Sequence, residues 1–388
     1  MSITMNKYFN AIRNIIFSPE IYFSRVKSGF WLLTFYSICA SFSSSFIPLY
    51  FKQQGFSLSW IILMYVMYAC TGMLLLLFFT RFPIRSYVIA GFLIFSLALS
   101  SLFLLPSSIA LYVYALLLGS NLLFFWLPLN YLFFLNSSKN TNAVDSSLYM
   151  IAPGVISMVM PLLGATVISK EGYPGLFALT AVMYLLPILF VLKKIPQEKI
   201  TTPSFKEGLQ QFKGLKTITV LEGALQHFNG IVIVVYALLF LNNTTEAGYF
   251  FSYLGLLGFV MGMIVSRNSD KSQKRKMFLY IFFILMSVSI FMLPLAKTNI
   301  IWFIMVGIFS AIYTISSPLR LAVSLDSRKA DMNFWRVREF FLNFGRASTL
   351  AVTVLLFSLQ QYLPVFLLFG VIALSYPFVV SYKLTEIK

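Results

Sequence analysis

The residues with the greatest potential for chemistry lie in two apolar stretches of the second half of the chain. In the first, residues 217–241, one helix face would carry Glu222, Gln226 and Asn229 at spacings of four and three residues. His227, the one histidine of the chain, lies beside this stripe and about 15 Å deep by helical rise. It could act as a proton-linked switch, and Glu222 as a coupling carboxylate. A neutral histidine bonded between helices and a structural ion pair are the alternatives.

The second stretch has one polar face along most of its length. That face consists of Arg336, Glu339, Asn343 and Arg346 at helical spacing, continued by Thr349 and Thr353. We expect Arg336 and Glu339 to reach the inner membrane surface, whereas Arg346 lies about 11 Å inside and stays charged at any ordinary pH. Arg346 therefore needs an anion, either Glu222 or Glu339 or an anionic group of a substrate. The internal pair is slightly favoured, because the cavity must also exist empty.

The polar residues within the apolar stretches of the first half are uncharged or weakly polar, and they include no Asp or Glu. One helical stripe of hydroxyl groups comprises Thr34, Ser37, Ser41 and Ser44. Further candidates for contact with a solute are Asn121, Trp126 and Asn130, together with Tyr313 in the second half. Small hydroxyl side chains also allow close packing between helices, so that role is the alternative for the serine stripe.

These residues are embedded in a chain that is too apolar for a soluble core. Hydrophobic residues make up 59% of the 388 residues and charged residues 11%, against about 45–50% and about 25% in soluble domains. Apolar runs long enough to cross a bilayer lie near residues 29–51, 58–80, 86–105, 109–135, 147–169, 174–192, 217–241, 247–266, 277–296, 299–319, 339–359 and 362–382. They are continuous and about twice as long as the alternating segments of an outer-membrane barrel. The sequence therefore predicts an all-α membrane protein with twelve transmembrane helices.

The distribution of Lys and Arg predicts the orientation of these helices, because cytoplasmic loops carry the excess of both residues. If the N-terminus is cytoplasmic, the inner stretches hold 25 of the 29 basic residues, and the outer loops hold only Lys52, Lys170 and Lys297. Both termini are then cytoplasmic, and the protein is expected in the inner cell membrane. This topology explains the net charge of +17 without a nucleic-acid partner. Residues 1–28 lack the pattern of a signal peptide, and we expect them to form a cytoplasmic segment.

Residues 193–216 form the longest predicted loop and divide the chain into bundles at 29–192 and 217–388, the second with a short cytoplasmic tail. Within this linker, an apolar stripe at helical spacing consists of Phe205, Leu209, Phe212 and Leu215. It follows Ser204-x-x-Glu207, which has the pattern of a capping box. With lysines beside the stripe, the segment is predicted to lie on the inner membrane surface; a flexible connector is the alternative.

The two halves of the chain resemble each other when one is shifted by 190 residues. The alignment runs without a gap from about residue 49 to 139, and it pairs Pro128-Leu129 with Pro318-Leu319. Six crossings per half is an even number, so both copies would enter the membrane in the same sense and be related by an axis along its normal. We expect two pseudo-symmetric six-helix bundles with a solute site between them, which is typical of transporters.

Several passages resemble the major facilitator superfamily. The passage Phe46-Ile-Pro-Leu-Tyr-Phe-Lys-Gln-Gln-Gly-Phe-Ser57 is similar to the one that ends the first helix in that family. The family also has a basic loop motif with the pattern Gly-x-x-x-Asp-Arg/Lys-x-Gly-x-Arg/Lys-Arg/Lys. Its second copy is matched here by Asp270, Lys271, Lys274 and Arg275, although serines replace the glycines. The first copy keeps Arg81 and Arg85, with Thr80 at the acidic position. Residues 160–165 resemble the end of the family's antiporter motif, with half of its glycines lost.

This resemblance implies a secondary transporter or facilitator that moves a small organic solute by alternating access. A further hypothesis is that transport is coupled to protons through Glu222, His227 or Glu339. A facilitator without such coupling is the alternative. A flippase for lipid-linked substrates or a membrane-embedded transferase is the second hypothesis. The sequence shows no acid pair or metal-ligand cluster near an interface, which argues against the transferase. We expect no enzyme activity, no catalytic residues, no metal and no cofactor. The expected partners are a small solute, the lipid bilayer and protons, and the expected state is a monomer.

Overall fold

The computed structural model describes residues 19–137, 142–241, 243–269, 275–328 and 330–387. Nearly all of these residues are helical. The helices of the first half are α1 (Pro19–Ser43), α2 (Ile47–Gln53), α3 (Leu58–Phe78), α4 (Ile84–Leu104), α5 (Ser107–Asn121), α6 (Leu127–Phe134), α7 (Asn142–Met183) and α8 (Pro187–Lys194). A 3₁₀ turn (Ser44–Phe46) joins α1 to α2, and a π-helical turn (Leu122–Trp126) joins α5 to α6.

The second half repeats this plan after a short helix in the linker. Its helices are α9 (Phe205–Gln211), α10 (Lys216–His227), α11 (Ile233–Ala237), α12 (Thr244–Ser269), α13 (Arg275–Met292), α14 (Asn299–Ser327), α15 (Met332–Ser358) and α16 (Leu363–Ile387). A π-helical turn (Phe228–Val232) joins α10 to α11, and a 3₁₀ turn (Leu293–Leu295) follows α13. The described strands are β1 (Arg81–Pro83) and β2 (Lys199–Thr201).

The described helices coincide with the predicted membrane crossings. Ten stretches among the described residues are long and apolar enough to cross a membrane. One of them, Asp145–Lys194, has 50 residues and is broken at Gly172, whose φ of 69° is left-handed, so it contains the fifth and sixth predicted crossings. The eighth predicted crossing falls on α12. The expected all-α membrane architecture is therefore confirmed.

The helices that contain the tenth and eleventh predicted crossings are longer than predicted at the ends that face each other along the chain. The helix α14 runs to Ser327 and α15 begins at Met332, so most of the predicted loop 320–338 is helical. The Asp331 carboxylate caps α15 by accepting a hydrogen bond of 2.8 Å from the Phe334 N–H. The arginines in these extensions are buried against other protein groups rather than lipid, and a hydropathy pattern does not register that difference.

The two halves approach most closely along α7 and α12. A side-chain carbon added at Gly255 would lie 2.5 Å from the carbonyl carbon of Ser157, so only glycine permits this contact. On the outside of the bundle, large apolar side chains such as Leu97, Val288 and Val371 are exposed. They belong to α4, α13 and α16, and they present the surface that a lipid environment would cover.

One end of the bundle carries the linker, and we call this end, with residues 195–215, the linker face. There β1 pairs antiparallel with β2, with Phe82 opposite Ile200. One half of the predicted capping box is present: the Ser204 hydroxyl accepts the Glu207 N–H at 3.4 Å. The same hydroxyl donates to Glu207 Oε1 at 2.6 Å. The apolar stripe of the linker packs on α15, with Phe205 4.9 Å from Phe340 between ring centres. Contact with α15 accounts for the stripe without a membrane surface.

Candidate functional site

A cluster of buried charged side chains lies between α10 and α15. The Arg338 Nη2 atom donates to Glu222 Oε1 at 2.7 Å, and the two side chains are 5% and 3% exposed. Glu339 lies next to this pair, with its Oε1 3.9 Å from Arg338 Nη1. Because both carboxylates are removed from water, each depends on a guanidinium group for its counter-charge.

The deeper arginine of α15 is paired within the protein. Arg346 Nη1 lies 3.9 Å from Glu339 Oε2 and donates to Asn343 Oδ1 at 3.0 Å, while its Nη2 donates to Gln226 Oε1. Gln226 in turn donates to Glu222 Oε1 at 3.2 Å. Of the two carboxylates considered from the sequence, Glu339 is therefore the one near Arg346, and Gln226 connects the two ion pairs.

The first half of the chain contacts this cluster through α6. Asn130 Nδ2 donates to Glu339 Oε1 at 3.1 Å, and the Tyr149 hydroxyl donates to Asn130 Oδ1 at 2.8 Å. The network therefore joins the two halves, and a relative movement of the halves would change the surroundings of the Glu339 carboxylate.

Two features of the cluster differ from the sequence-based expectation. The side chains of Glu339 and Arg336, which we expected to reach the inner membrane surface, are buried among protein groups. Arg338 is not among the sequence-based candidates, because it lies off the stripe formed by Arg336, Glu339, Asn343 and Arg346. The spacing of the two arginines could have indicated a second contact. Arg338 follows Arg336 by two residues, so the two side chains leave α15 in nearly opposite directions, and that of Arg338 meets Glu222 of α10.

His227 lies beside the cluster without joining its hydrogen bonds. Its imidazole is stacked on the Tyr68 ring of α3, with 5.9 Å between ring centres. Its Nε2 atom is buried and has no hydrogen-bond partner among the described residues. The contact crosses between the halves, which keeps His227 as a candidate for a group whose protonation changes with their arrangement.

A cavity of about 350 Å³ lies between the two halves. Its wall includes three of the predicted site residues, Ser41, Asn229 and Tyr313. The other lining residues are Ser45, Met150, Pro153, Gly154, Ser157, Pro161, Gly230, Val234, Phe251, Leu254, Gly255, Gly258, Ser310, Thr314 and Ser317. A mixture of hydroxyl groups, an amide and apolar side chains suits a small organic molecule.

The π-helical turn between α10 and α11 forms part of this wall. It contains Asn229 and Gly230, and a side-chain carbon added at Gly230 would meet nothing within 4 Å. Single π-turns in α-helices are frequent at functional sites. Here the turn changes the direction of the residues that follow it and places Asn229 at the cavity.

The remaining candidates of the first half lie away from the cavity lining. Ser37 donates to the Leu33 carbonyl of its own helix at 2.7 Å. Trp126 packs on Tyr36 with 4.8 Å between ring centres, inside the first bundle. Asn121 is buried, and neither atom of its amide has a partner among the described residues. Ser37 thus fits the alternative of helix packing.

Two residues of the basic loop motif, Arg81 and Arg85, lie in or next to β1 at the linker face. Arg81 is exposed in β1, and Arg85 Nε donates to the Ile195 carbonyl at 2.7 Å. Arg275 is the first residue of α13. The other three motif residues, Asp270, Lys271 and Lys274, lie outside the described residues.

A further arginine at the linker face, Arg336, bonds to the other half of the chain. Its Nε and Nη2 atoms donate to the Leu76 and Leu77 carbonyls at 2.8 and 2.9 Å. These carbonyls belong to the last turn of α3, where helix carbonyls lack partners and the helix dipole attracts a cation. Its Nη1 atom donates to the Pro203 carbonyl of the linker at 3.1 Å.

No group of three or more His, Cys, Asp or Glu side chains suited to a metal ion occurs within the described ranges.

The sequence profile described as Major Facilitator Superfamily matches residues 30–334. The chain belongs to the major facilitator superfamily. This agrees with the resemblance of its sequence motifs, and membership identifies the chain as a multi-pass membrane protein of a transporter superfamily.

A solved structure similar to this superfamily member is that of the E. coli fucose:proton symporter FucP. The TM-score is 0.66, over 94% of this chain and 98% of that chain, at 11% sequence identity. At that identity the likeness shows the fold alone, and it agrees with the expected arrangement of two bundles. The search of curated proteins found no match.

Proposed function

We propose that this protein is a secondary transporter that moves a small organic solute by alternating access of the cavity between its halves. The observation that carries the proposal is the position of that cavity, which is lined by α1, α7, α12 and α14 and so belongs to neither half alone. Two bundles that rock about such a site expose it first to one side of the membrane and then to the other.

Bonds between the halves on both sides of the cavity support this mechanism. At the linker face, Arg336 bonds to α3, and Asn142 donates to Asp326 at 2.9 Å. At the opposite end of the bundle, the Lys52 ammonium group donates to the Leu238 carbonyl. Opening either end requires that its own set of bonds is broken while the other set persists.

The linker face is proposed to be cytoplasmic, because the predicted inner stretches hold most of the Lys and Arg residues. Both termini are then cytoplasmic. The transporter lies in the cell membrane and acts as a monomer. Membership of the superfamily argues against a flippase of another family, the alternative considered from the sequence.

Proton coupling is the finer part of the proposal. Glu222 and Glu339 are buried beside arginines, and the structurally similar FucP is named as a proton symporter. The arginines beside both carboxylates belong to the same half and move with them, so a movement of the halves changes the hydrogen bond from Asn130 to Glu339. Loss of this hydrogen bond to the ionised carboxylate favours its protonation. Glu339 suits this role best because Asn130 of the first half bonds to it.

Uptake into sealed vesicles tests the proposed function. The purified protein is reconstituted, and accumulation of labelled sugars, amino acids, carboxylates and phosphate esters is compared with that of vesicles without protein. We expect saturable uptake of at least one class. We expect the initial rate to fall more than about tenfold in Asn229→Leu, which removes the amide from the cavity wall. Lys297→Leu, on an exposed loop, is the control. Uptake no faster than in empty vesicles for every class would contradict the proposal.

A further inference from the structure

Arg320 of α14 is a buried cation without a carboxylate partner in the described part of the chain. Its residue is 1% exposed, and its Nε and Nη1 atoms make no hydrogen bond. The Nη2 atom donates to the Ser317 hydroxyl, and the guanidinium carbon lies 4.3 Å from the centre of the Tyr313 ring. A hydroxyl group and an aromatic face reduce the cost of burying a charge, but neither supplies a full negative charge.

The guanidinium groups of the other buried arginines have carboxylate partners or more hydrogen-bond acceptors than that of Arg320. Arg338 is paired with Glu222, and Arg346 lies by Glu339. Arg336 is bonded to helix carbonyls and the linker. Arg336 also lacks a carboxylate, but each of its three guanidinium nitrogens donates a hydrogen bond, whereas two nitrogens of Arg320 donate none. These two nitrogens remain available to an anion.

The position of Arg320 places these donors next to the cavity. Side chains on a helix lean towards its N-terminus, and the Arg320 guanidinium reaches back over Ser317 and Tyr313, three and seven residues earlier. Ser317 and Tyr313 both line the cavity, as does Thr314. The Arg320 guanidinium thus contacts two residues of the cavity wall, Ser317 and Tyr313, although Arg320 does not itself line the cavity.

We propose that the cavity binds a small organic anion and that Arg320 binds its carboxylate or phosphate group. This rests on the proposed function, since it takes the cavity as the solute site. A guanidinium group presents two parallel donors that fit either oxyanion, and a rotation of Tyr313 brings them into contact with the ligand. The hydroxyls and Asn229 bind the rest of the molecule, and a volume of about 350 Å³ suits a metabolite rather than a lipid.

Thermal denaturation of the purified full-length protein tests this site. Succinate, benzoate and glycerol 3-phosphate are compared with succinamide, benzamide and glycerol, which have similar shapes without the charge. A ligand that binds the native state raises the Tm by mass action. We expect at least one anion to raise the Tm by about 3 °C or more and its neutral counterpart to have no effect. A series in which no anion exceeds its neutral counterpart overturns the proposal.

Substitution of Arg320 separates anion binding from a structural role. In Arg320→Gln the anion-induced shift is lost, whereas the Tm without ligand stays equal or rises, because an unpaired buried charge has been removed. Arg320→Lys keeps the charge and part of the shift. Arg328→Gln, an exposed arginine eight residues later, is the control and keeps the full shift. If Arg320→Gln retains the full anion shift, Arg320 is not the binding group and the proposal is wrong.

The failure of this inference can be told apart from failure of the proposed function. Each ligand that shifts the Tm is also tested for uptake into vesicles. If only neutral solutes bind and are transported, the transporter function stands and the anion site is wrong. If anions bind through Arg320 but none crosses the vesicle membrane, the anion site stands and the proposed transport is wrong.

Discussion

The Arg338 guanidinium and the Glu222 carboxylate lie 2.7 Å apart, with side chains 5% and 3% exposed. They connect α15 to α10 inside the second bundle, where water cannot replace either partner. A buried ion pair adds little net stability compared with a well-packed apolar pair, but the loss of one partner leaves an uncompensated charge. This asymmetry makes the pair directly testable.

Breaking this pair from either side should destabilise the protein. We expect Glu222→Gln and Arg338→Gln each to lower the free energy of unfolding by about 3–5 kcal/mol, seen as a reduced Tm in detergent. The double substitution should cost less than the sum of the two, because it leaves no unpaired charge. Arg328→Gln at the exposed surface is the control. Additive losses in the double variant would show that the two groups do not stabilise each other.

Removal of the Arg336 contacts should favour opening of the linker face. Arg336→Gln loses bonds to the Leu76 and Leu77 carbonyls, and it should increase the open population about tenfold, equivalent to about 1.4 kcal/mol. Spin labels at the exposed positions Arg81 and Arg328, one in each half, report the distance across this face. We expect an added longer distance in the variant and none with the control Lys206→Gln. An unchanged distance distribution would contradict the role of Arg336.

The close contact between α7 and α12 should reject any side chain at Gly255. In Gly255→Val, added carbons would meet the Ser157 backbone at about the 2.5 Å of an added Cβ, which should cost about 1–3 kcal/mol and lower the Tm. Gly258→Ala, one helical turn away, is the control, because its added carbon would lie 3.7 Å from the nearest atom, Thr314 Oγ1. Equal Tm values for the two variants would show that the halves are not packed as described.

Proton coupling through Glu339 predicts a change in the response to an imposed pH gradient. Wild-type uptake should be faster when the outside is acidic than when both sides have the same pH. In Glu339→Gln the gradient should have no effect, while exchange of solute without a gradient continues. Glu207→Gln in the exposed linker is the control and should respond like the wild type. Wild-type uptake that is indifferent to the gradient would remove the coupling.

The sequence predicted the architecture well because lipid imposes a simple rule on it. A helix that meets lipid must be apolar over about 20 residues, and hydropathy reads this directly. The pattern of α4, α13 and α16 follows that rule. By contrast, α14 and α15 extend beyond their apolar runs, since Arg320 and Arg338 are buried against protein.

The candidate site could be predicted only in part for the same reason. Periodicity placed Gln226, Glu339 and Arg346 on facing stripes, and the structure brings them together. Periodicity could not reveal that Arg338 pairs with Glu222, because this pairing depends on which helices become neighbours. Nor could it reveal that the residues contacted by Arg320 line a cavity. The stripe of serines shows the opposite limit, since Ser41 lines the cavity whereas Ser37 bonds to its own helix.

The most direct test of the account is whether the cavity becomes accessible from both sides of the membrane. In a protein with Cys39 and Cys70 replaced by Ala, a single cysteine at Gly230, where an added side chain meets open space, is exposed to a charged, membrane-impermeant maleimide. Leu97→Cys, on the lipid-facing surface, is the control. We predict that Gly230→Cys reacts in both right-side-out and inside-out vesicles, whereas Leu97→Cys reacts in neither. Reaction from one side only, or from neither side, would contradict alternating access.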